Sequence, residues 1–392
     1  MTREAIWASL IPMFRNLFDR SNKPDETVTI CIPAWRSEAF IERTLGCALG
    51  QTHAKLRILI SVDQCEDATF SISETFARAD SRIEVFAQME RLGWAANVNF
   101  LLERVQSPFF FLYFHDDIIL PAYTERLLKA LRKRPDAMSA HCDMGHFGES
   151  EHVSNGCTYA GSAARRLAIF FVAPERGSPL RGLTRSHILG SGLRMPTAAV
   201  GGFWANEPYL MRLLAAGPAL HVPEVLYLRW DQRKDGLTEG WKDLSPAQVV
   251  SGFQTNIASA LAIIAEATSP AERDVVVFCL YVHMMLRVRD FEYKAGIAPI
   301  GSAEELHPAF ANQSLPAGLA DLGPDIESWT LQRYQRLLRL EERAARSIKI
   351  AAGKFAWVRR FENETCGRPG RRYHGQLVGT FLGAEGRSGN AH

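Results

Sequence analysis

The chain has 392 residues, 47% apolar and 22% charged, enough to bury a sizeable core as one large domain or two ordinary ones. A formal net charge of +2 is too small for nucleic acid to be the main partner, and the composition excludes a fibrous or disordered chain. Seven widely spaced cysteines without a C-x-x-C pair argue against a disulfide framework or zinc ribbon, and for reduced thiols in a cytoplasmic setting.

Taken in order, Ile6, Trp7, Leu10, Ile11, Phe14, Leu17 and Phe18 recur at helical spacing, so residues 1–24 read as an amphipathic helix and a linker. Val28 to Ile32 is a short β-branched run closed by Pro33 and predicts a buried strand. Glu38 to Leu49 predicts a helix, Leu56 to Val62 a strand, Ala68 to Ala79 a helix, and Ile83 to Phe86 a strand. Trp94 to Val105 follows as a helix, Phe109 to Phe114 as a strongly apolar strand, and Pro121 to Leu131 as a helix. Such alternation means βαβ units and a mostly parallel sheet, with ligands bound beyond the carboxyl ends of its strands. The stretch from Ala140 to Trp230 is less regular, with a helix within Trp204 to Gly217 and a late strand at Val222 to Trp230. Residues 241–362 turn mainly helical, and 363–392 read as a disordered tail. The longest strongly apolar run, Val275 to Leu286, is too short to span a bilayer.

Three constellations sit where the ligand rule points. His115-Asp116-Asp117 follows the all-apolar strand, and two adjacent carboxylates there need a positive partner. A divalent cation with the phosphates it bridges would serve, Mg²⁺ or Mn²⁺ suiting oxygen ligands; capping of a following helix is the bland alternative. Asp63 stands at the edge of the second strand, where it can accept a hydrogen bond from a nucleobase, whereas Asp67 is better placed to cap a helix. Trp35 follows the first strand and either stacks on a base or packs under its loop.

These segments together resemble family-2 glycosyltransferases. Val28-Thr29-Ile30-Cys31-Ile32-Pro33-Ala34-Trp35, then Ile41 to Leu45 and Gln51-Thr52, resemble the family's opening V-S-V-I-P-A-Y-N, I-x-x-T-L and Q-T. Ile60 to Thr69 resembles its D-D-x-S-x-D-x-T segment, and Arg91 to Asn99 its N-L-G-W-x-x-N-x-N stretch. His115-Asp116-Asp117 with Pro121 resembles the H-D-D variant of its D-x-D motif. The likeness is good over residues 27 to 135 and loose over 175 to 235. It implies a GT-A fold, a Rossmann-like mostly parallel sheet flanked by helices, over residues 25–240, with 241–362 as a helical extension. It also implies a nucleotide-diphosphate-sugar donor, uridine being the family expectation, and Mn²⁺ or Mg²⁺. Pro33, Ala34, Trp35, Asp63, Asn99, His115 and Asp116 would then hold the donor, and Asp116 and Asp117 the metal.

The family's general base is an acid opening a helix in the second half. Here Asn206 stands where the family has Asp, and Glu207 follows it. Pro208 favours the first helical position, which would leave Glu207 non-helical at the helix mouth, facing the cleft as base, with Asn206 beside it. A Glu serving only the helix dipole is the competing reading. Val62 replaces the first Asp of the family's pair, and Trp230-Asp231 stands where the family often has a metal-binding His, so Asp231 is the candidate third ligand.

His141-Cys142-Asp143 with His146 reads as loop chemistry rather than a zinc site, since no second ligand pair follows at zinc spacing. Arg176, Arg181 and Arg185 read equally as phosphate-facing or solvated. The leading expectation is an inverting transferase acting on a glycan, glycoconjugate or lipid-linked acceptor, with no nucleic-acid partner. A peripheral membrane contact through the N-terminal helix or the basic 332–360 segment is the minority reading. A nucleotide-sugar-binding module without a base is the alternative that Asn206 keeps open. A sugar-phosphate nucleotidyltransferase is disfavoured because Pro33 to Ser37 contains no glycine.

Overall fold

A computed structural model describes residues 25–174, 179–198, 202, 204–231, 244–295, 302–311 and 313–343. Residues to Leu337 form one compact unit and those from Leu338 a second. The N-terminal helix expected over 1–24, Arg176, and the tail at 363–392 lie outside the described residues.

The first unit is built on a curled sheet whose described strands run in the order β3-β2-β1-β4-β8-β6-β9-β5, with β7 paired to the later part of β6, beyond the residues that pair with β8. β1 (Val28–Ala34), β2 (Leu56–Val62), β3 (Ile83–Ala87) and β4 (Phe109–Leu112) are mutually parallel. Every residue of β1 and β4 is buried, which explains why both read as unbroken apolar runs rather than alternating ones. The crossovers are α1 (Ile41–Leu49), α2 (Thr69–Ala79) and α3 (Trp94–Leu102), each within a few residues of its expected bounds.

Beyond β4 the sheet becomes mixed. β5 (Ile118–Ile119) and α4 (Tyr123–Lys133) lead into β6 (Ser139–Gly148), which forms a hairpin with β7 (His152–Ser154). After α5 (Ala163–Val172), β8 (Leu183–Arg185) pairs antiparallel with β4 and β6. α6 (Asn206–Ala216) then feeds β9 (Ala219–Asp231), which runs parallel to β6 and antiparallel to β5.

The helical extension packs on this frame through α7 (Pro246–Ala267) and α8 (Pro270–Ala295). α7 starts at a capping box, Ser245 with Gln248, with Pro246 at its first position. It is the one described helix long and apolar enough to cross a bilayer, but Val249, Phe253, Ile257, Ala260 and Ile264 are buried within the fold. Arginines tie the layers together at helix ends, where carbonyls lack partners. Arg166 donates to Leu214 O and Ala215 O at the end of α6. Arg185 donates to Leu131 O and Ala137 O beyond α4, so it is neither solvated nor phosphate-facing. Arg333, in the helix that begins at residue 324, donates to Val172 O and Ala173 O at the end of α5.

One core residue carries a pH signature. His141 is buried, and neither ring nitrogen has a hydrogen-bond partner among the described residues. Burial pushes its pKa down to about 3, with neighbouring His221 adding to the shift. The folded chain therefore holds it neutral, while the unfolded chain takes a proton below about 6.5. Its contribution is full above that value and is lost as pH falls toward about 3. At about pH 4.5 the loss is on the order of 3 kcal/mol, at roughly 1.4 kcal/mol per pH unit. Urea melts at neutral pH and at about pH 4.5 should show wild type losing more stability than His141→Leu by that order; equal losses would contradict the account.

Candidate active site

The H-D-D turn joins β4 to β5 beyond the carboxyl end of the parallel strands. It is fastened from three sides. Thr44 Oγ1 donates to His115 O at 2.6 Å, Arg43 donates to Asp116 O at 2.8 Å, and His115 Nδ1 lies 3.1 Å from Pro33 O. The turn is thereby fixed to the ends of β1 and α1.

Its two carboxylates live in different environments. Asp117 is buried and fully engaged: Oδ2 accepts from Tyr227 Oη at 2.7 Å and Arg181 Nε at 3.0 Å, and Oδ1 from the Trp230 amide at 3.0 Å. Arg181 is held protonated by Asp117 although burial opposes its charge. Asp116 is half-buried, and its carboxylate has no hydrogen-bond partner among the described residues. Burial raises its pKa; His115 and Arg181 pull the value back, and Asp117 adds to the rise. A carboxylate left unsatisfied beside Arg181 and Arg229 is the kind of group that a divalent cation relieves. Mn²⁺ and Mg²⁺ commonly take one or two protein carboxylates and complete their shells with phosphate oxygens and water, so the residues fit such an ion, with Asp116 the available ligand.

An open cleft of about 1100 Å³ lies over the carboxyl ends of β1 and β2. Trp35, Arg36, Glu38, Gln64, Cys65, Asp67 and Arg91 line it. The Arg91 guanidinium stacks on Trp35 with its carbon 3.5 Å from the ring centroid. Trp35 is thus a cleft residue rather than a ring packed beneath the loop. Asp67 accepts from the Thr69 amide and hydroxyl and from the Glu38 amide, but the N-cap of α2 is Ala68, so Asp67 stands one residue ahead of the capping position expected for it.

Asp63 is buried and saturated. Oδ1 accepts from Leu92 N at 2.7 Å and Gln64 N at 3.1 Å, and Oδ2 from Gly93 N at 2.9 Å, with Arg91 Nε in ion-pair contact with Oδ2 at 3.1 Å. A base N–H reaches it only by displacing one of these donors, and Arg91 is the most exposed of them. Asn99 is occupied in the same way: its amide exchanges two 2.8 Å hydrogen bonds with the Met195 backbone. Trp94 Nε1 donates to Gly202 O, where φ of 65° suits a glycine. Asn99 and Trp94 therefore hold the segment leading to α6 against α3.

Two expectations change here. Asp231 is not tied to Asp116 or Asp117 by any described contact; Oδ2 lies 3.0 Å from His146 Nδ1 and 2.6 Å from Ser150 Oγ. Its Oδ2 is thus occupied by residues of the β6–β7 hairpin and its connection. Glu207 is helical, not ahead of the helix, because α6 already begins at Asn206. It is buried, with Oε2 3.0 Å from His283 Nε2 and Oε1 3.1 Å from Arg287 Nη2, both on α8. Asn206 is half-buried at the first turn of the same helix.

A match to the model "Glycosyl transferase family 2" covers residues 29–172, from β1 through α5. This stretch, somewhat over a third of the chain, is therefore similar to family-2 glycosyltransferases. Curated relatives agree. An uncharacterized glycosyltransferase of Haemophilus influenzae is 28% identical over 112 residues, covering 29% of this chain and 34% of the relative. Glycosyltransferase GlyA of Streptococcus pneumoniae is 26% identical over 107 residues, covering 27% and 15%. The matched stretch is thus about a third or less of each relative's own length. Among solved structures, S. aureus TarS 1-349 in complex with UDP-GlcNAc superposes with a TM-score of 0.57 at 14% identity, covering 81% of this chain and 92% of that one. That likeness establishes a GT-A-like fold beyond the family-2 segment.

Arg181 and Tyr227 bind Asp117, and His283 and Arg287 bind Glu207; sequence reasoning assigned roles to none of the four. Only Arg181 carried a signal, as one of three arginines after the irregular middle section. Long separations hid the network: Asp117 is 64 residues from Arg181 and 110 from Tyr227 in the chain.

Proposed function

We propose that this chain is an inverting, divalent-metal-dependent glycosyltransferase that moves a sugar from a nucleotide-diphosphate donor, UDP-linked in the first instance, to a hydroxyl of a glycan, glycoconjugate or lipid-linked acceptor. The observation that carries the reading is the carboxylate of Asp116, unpaired among the described residues on a turn whose neighbour Asp117 is already satisfied. The TarS complex with UDP-GlcNAc supports a nucleotide sugar as the donor.

Trp35 and Arg91 take the nucleoside, with Pro33, Ala34 and Asp63 shaping its floor and Asn99 holding the neighbouring wall. Asp116 binds the metal and the donor's sugar-phosphate end, held in place by His115, Arg43 and Thr44. Mn²⁺ or Mg²⁺ held by Asp116 would supply Lewis-acid neutralisation of the leaving diphosphate. Glu207, oriented by His283 and Arg287, accepts the proton of the acceptor hydroxyl. That oxygen forms the new bond to the anomeric carbon from the face opposite the diphosphate, whose oxygen leaves with the bonding electron pair. The configuration inverts.

Thermal melting with nucleoside diphosphates and nucleotide sugars tests the donor half. A ligand at about a hundred times its Kd stabilises the native state by roughly 2.7 kcal/mol. The expected result is a rise in Tm with one nucleotide that requires Mn²⁺ or Mg²⁺. No rise with any nucleotide at millimolar ligand and metal overturns the donor assignment.

A further inference from the structure

We propose that His146, His152 and Asp231 form a second metal site, separate from the donor carboxylates and suited to Zn²⁺. One ligand atom from each residue lies within 4.8 Å of the other two. The backbone brings them together: His146 and His152 are register partners across the β6–β7 hairpin, and Asp231 ends β9 opposite Gly148.

Two of the three donors already have the spacing of a metal site. Zinc–nitrogen bonds of about 2.0–2.1 Å put tetrahedral donors roughly 3.3 Å apart. His146 Nδ1 and Asp231 Oδ2 are 3.0 Å apart. Both side chains are largely enclosed: Ser154 Oγ lies 2.8 Å from the outer nitrogen of His146, Arg229 Nε lies 3.6 Å from the outer Asp231 oxygen, and Ser150 Oγ donates to Oδ2 itself. Partners of this kind orient metal-binding imidazoles and carboxylates.

The remaining movement falls to His152. Its side chain is exposed and has no hydrogen-bond partner among the described residues. Its ring lies flat on His146, centroids 3.9 Å apart and planes 15° apart. Rotation about its side-chain bonds turns a ring nitrogen toward the other two donors. Two imidazoles and one carboxylate match the borderline preference of Zn²⁺ over Mg²⁺ or Ca²⁺, and leave the fourth position to water. An ion there replaces the His146–Asp231 hydrogen bond and clips the hairpin to the end of β9. The neighbouring residue, Trp230, supplies the amide that holds Asp117.

The test is titration of the full chain with Co²⁺, a spectroscopic stand-in for Zn²⁺, in wild type, His152→Ala and Asp116→Asn. Ligand-field bands of low coordination number should saturate at one equivalent and be displaced by Zn²⁺. They should persist in Asp116→Asn. In His152→Ala, an exposed position, affinity should fall by about a hundredfold or more, beyond the 10–100-fold typical of losing an outer partner. Asp231→Asn, nearly isosteric, provides a second loss-of-ligand variant. Bands absent from wild type, or unchanged in both ligand variants, overturn the site. Bands lost in Asp116→Asn but not in His152→Ala assign the ion to the donor carboxylates and equally overturn it.

Discussion

Asp116→Asn is expected to lower sugar transfer by two or more orders of magnitude while raising the melting temperature of the metal-free protein. The two effects share one cause. Burial raises the Asp116 pKa, so ionising this carboxyl in the folded chain costs free energy that the unfolded chain does not pay. The sign follows from linkage. A carboxyl with a raised folded pKa leaves wild type least favoured above that pKa, and wild type regains stability as pH falls through the carboxylate range. The gain in Tm of Asp116→Asn should therefore be largest near neutral pH and shrink on acidification. Added Mn²⁺ should reverse the order at neutral pH, stabilising wild type and leaving the variant unmoved. Asp117→Asn is the contrast. Its carboxylate pairs with buried Arg181 and accepts from Tyr227 and Trp230, so breaking that network should cost about 3–5 kcal/mol with or without metal. Thermal melts with and without Mn²⁺ across pH, beside initial rates, separate the two. If Asp116→Asn melts lower than wild type without metal and still turns over, the unsatisfied-carboxylate argument fails.

The parallel half of the fold was legible because its physics is local. A buried parallel strand needs an unbroken apolar run, which Val28–Ala34 and Phe109–Leu112 supply, and a crossover helix needs only its own periodicity. The H-D-D turn was legible for the same reason, since charge directly after an all-apolar strand demands a partner. What the chain does with each charge was not. Asp117 and Asp116 are adjacent and chemically identical, yet one is neutralised by Arg181 and the other stands apart, a difference made by residues far along the chain. Asp231 was assigned to the H-D-D turn from its position in the motif, but its partner His146 is 85 residues earlier on a neighbouring strand. β6 escaped notice as a long strand because its pairing with β9 shifts register around Cys142 to Met144, and such a shift breaks the alternation by which strands are read. Glu207 was placed outside the helix by the Pro208 rule, but α6 begins two residues earlier, at Asn206, and Glu207 meets His283 on α8.

That contact sets the second large expectation. Glu207→Gln should reduce kcat by roughly two to four orders of magnitude, the range for losing a general base, with the Kd for donor unchanged. Gln keeps the shape and can still accept from Arg287 or His283, so the fold should survive. What disappears is the basicity that draws the acceptor proton. The α8 clamp gives the experiment a control. Arg287 is partly exposed and can be solvated when its partner loses charge, whereas His283 is enclosed between Phe170 and Phe171 and cannot. Arg287→Lys, which preserves the charge but not the fork, should retain more turnover than Arg287→Met, at equal donor affinity. If Glu207 only fastens α6 to α8, Gln will lower stability modestly and leave kcat nearly intact. Activity in Glu207→Gln then passes the proton to another group at the head of α6. A loss of kcat in which donor binding falls equally would instead mean that α8 supports the donor cleft rather than the acceptor hydroxyl.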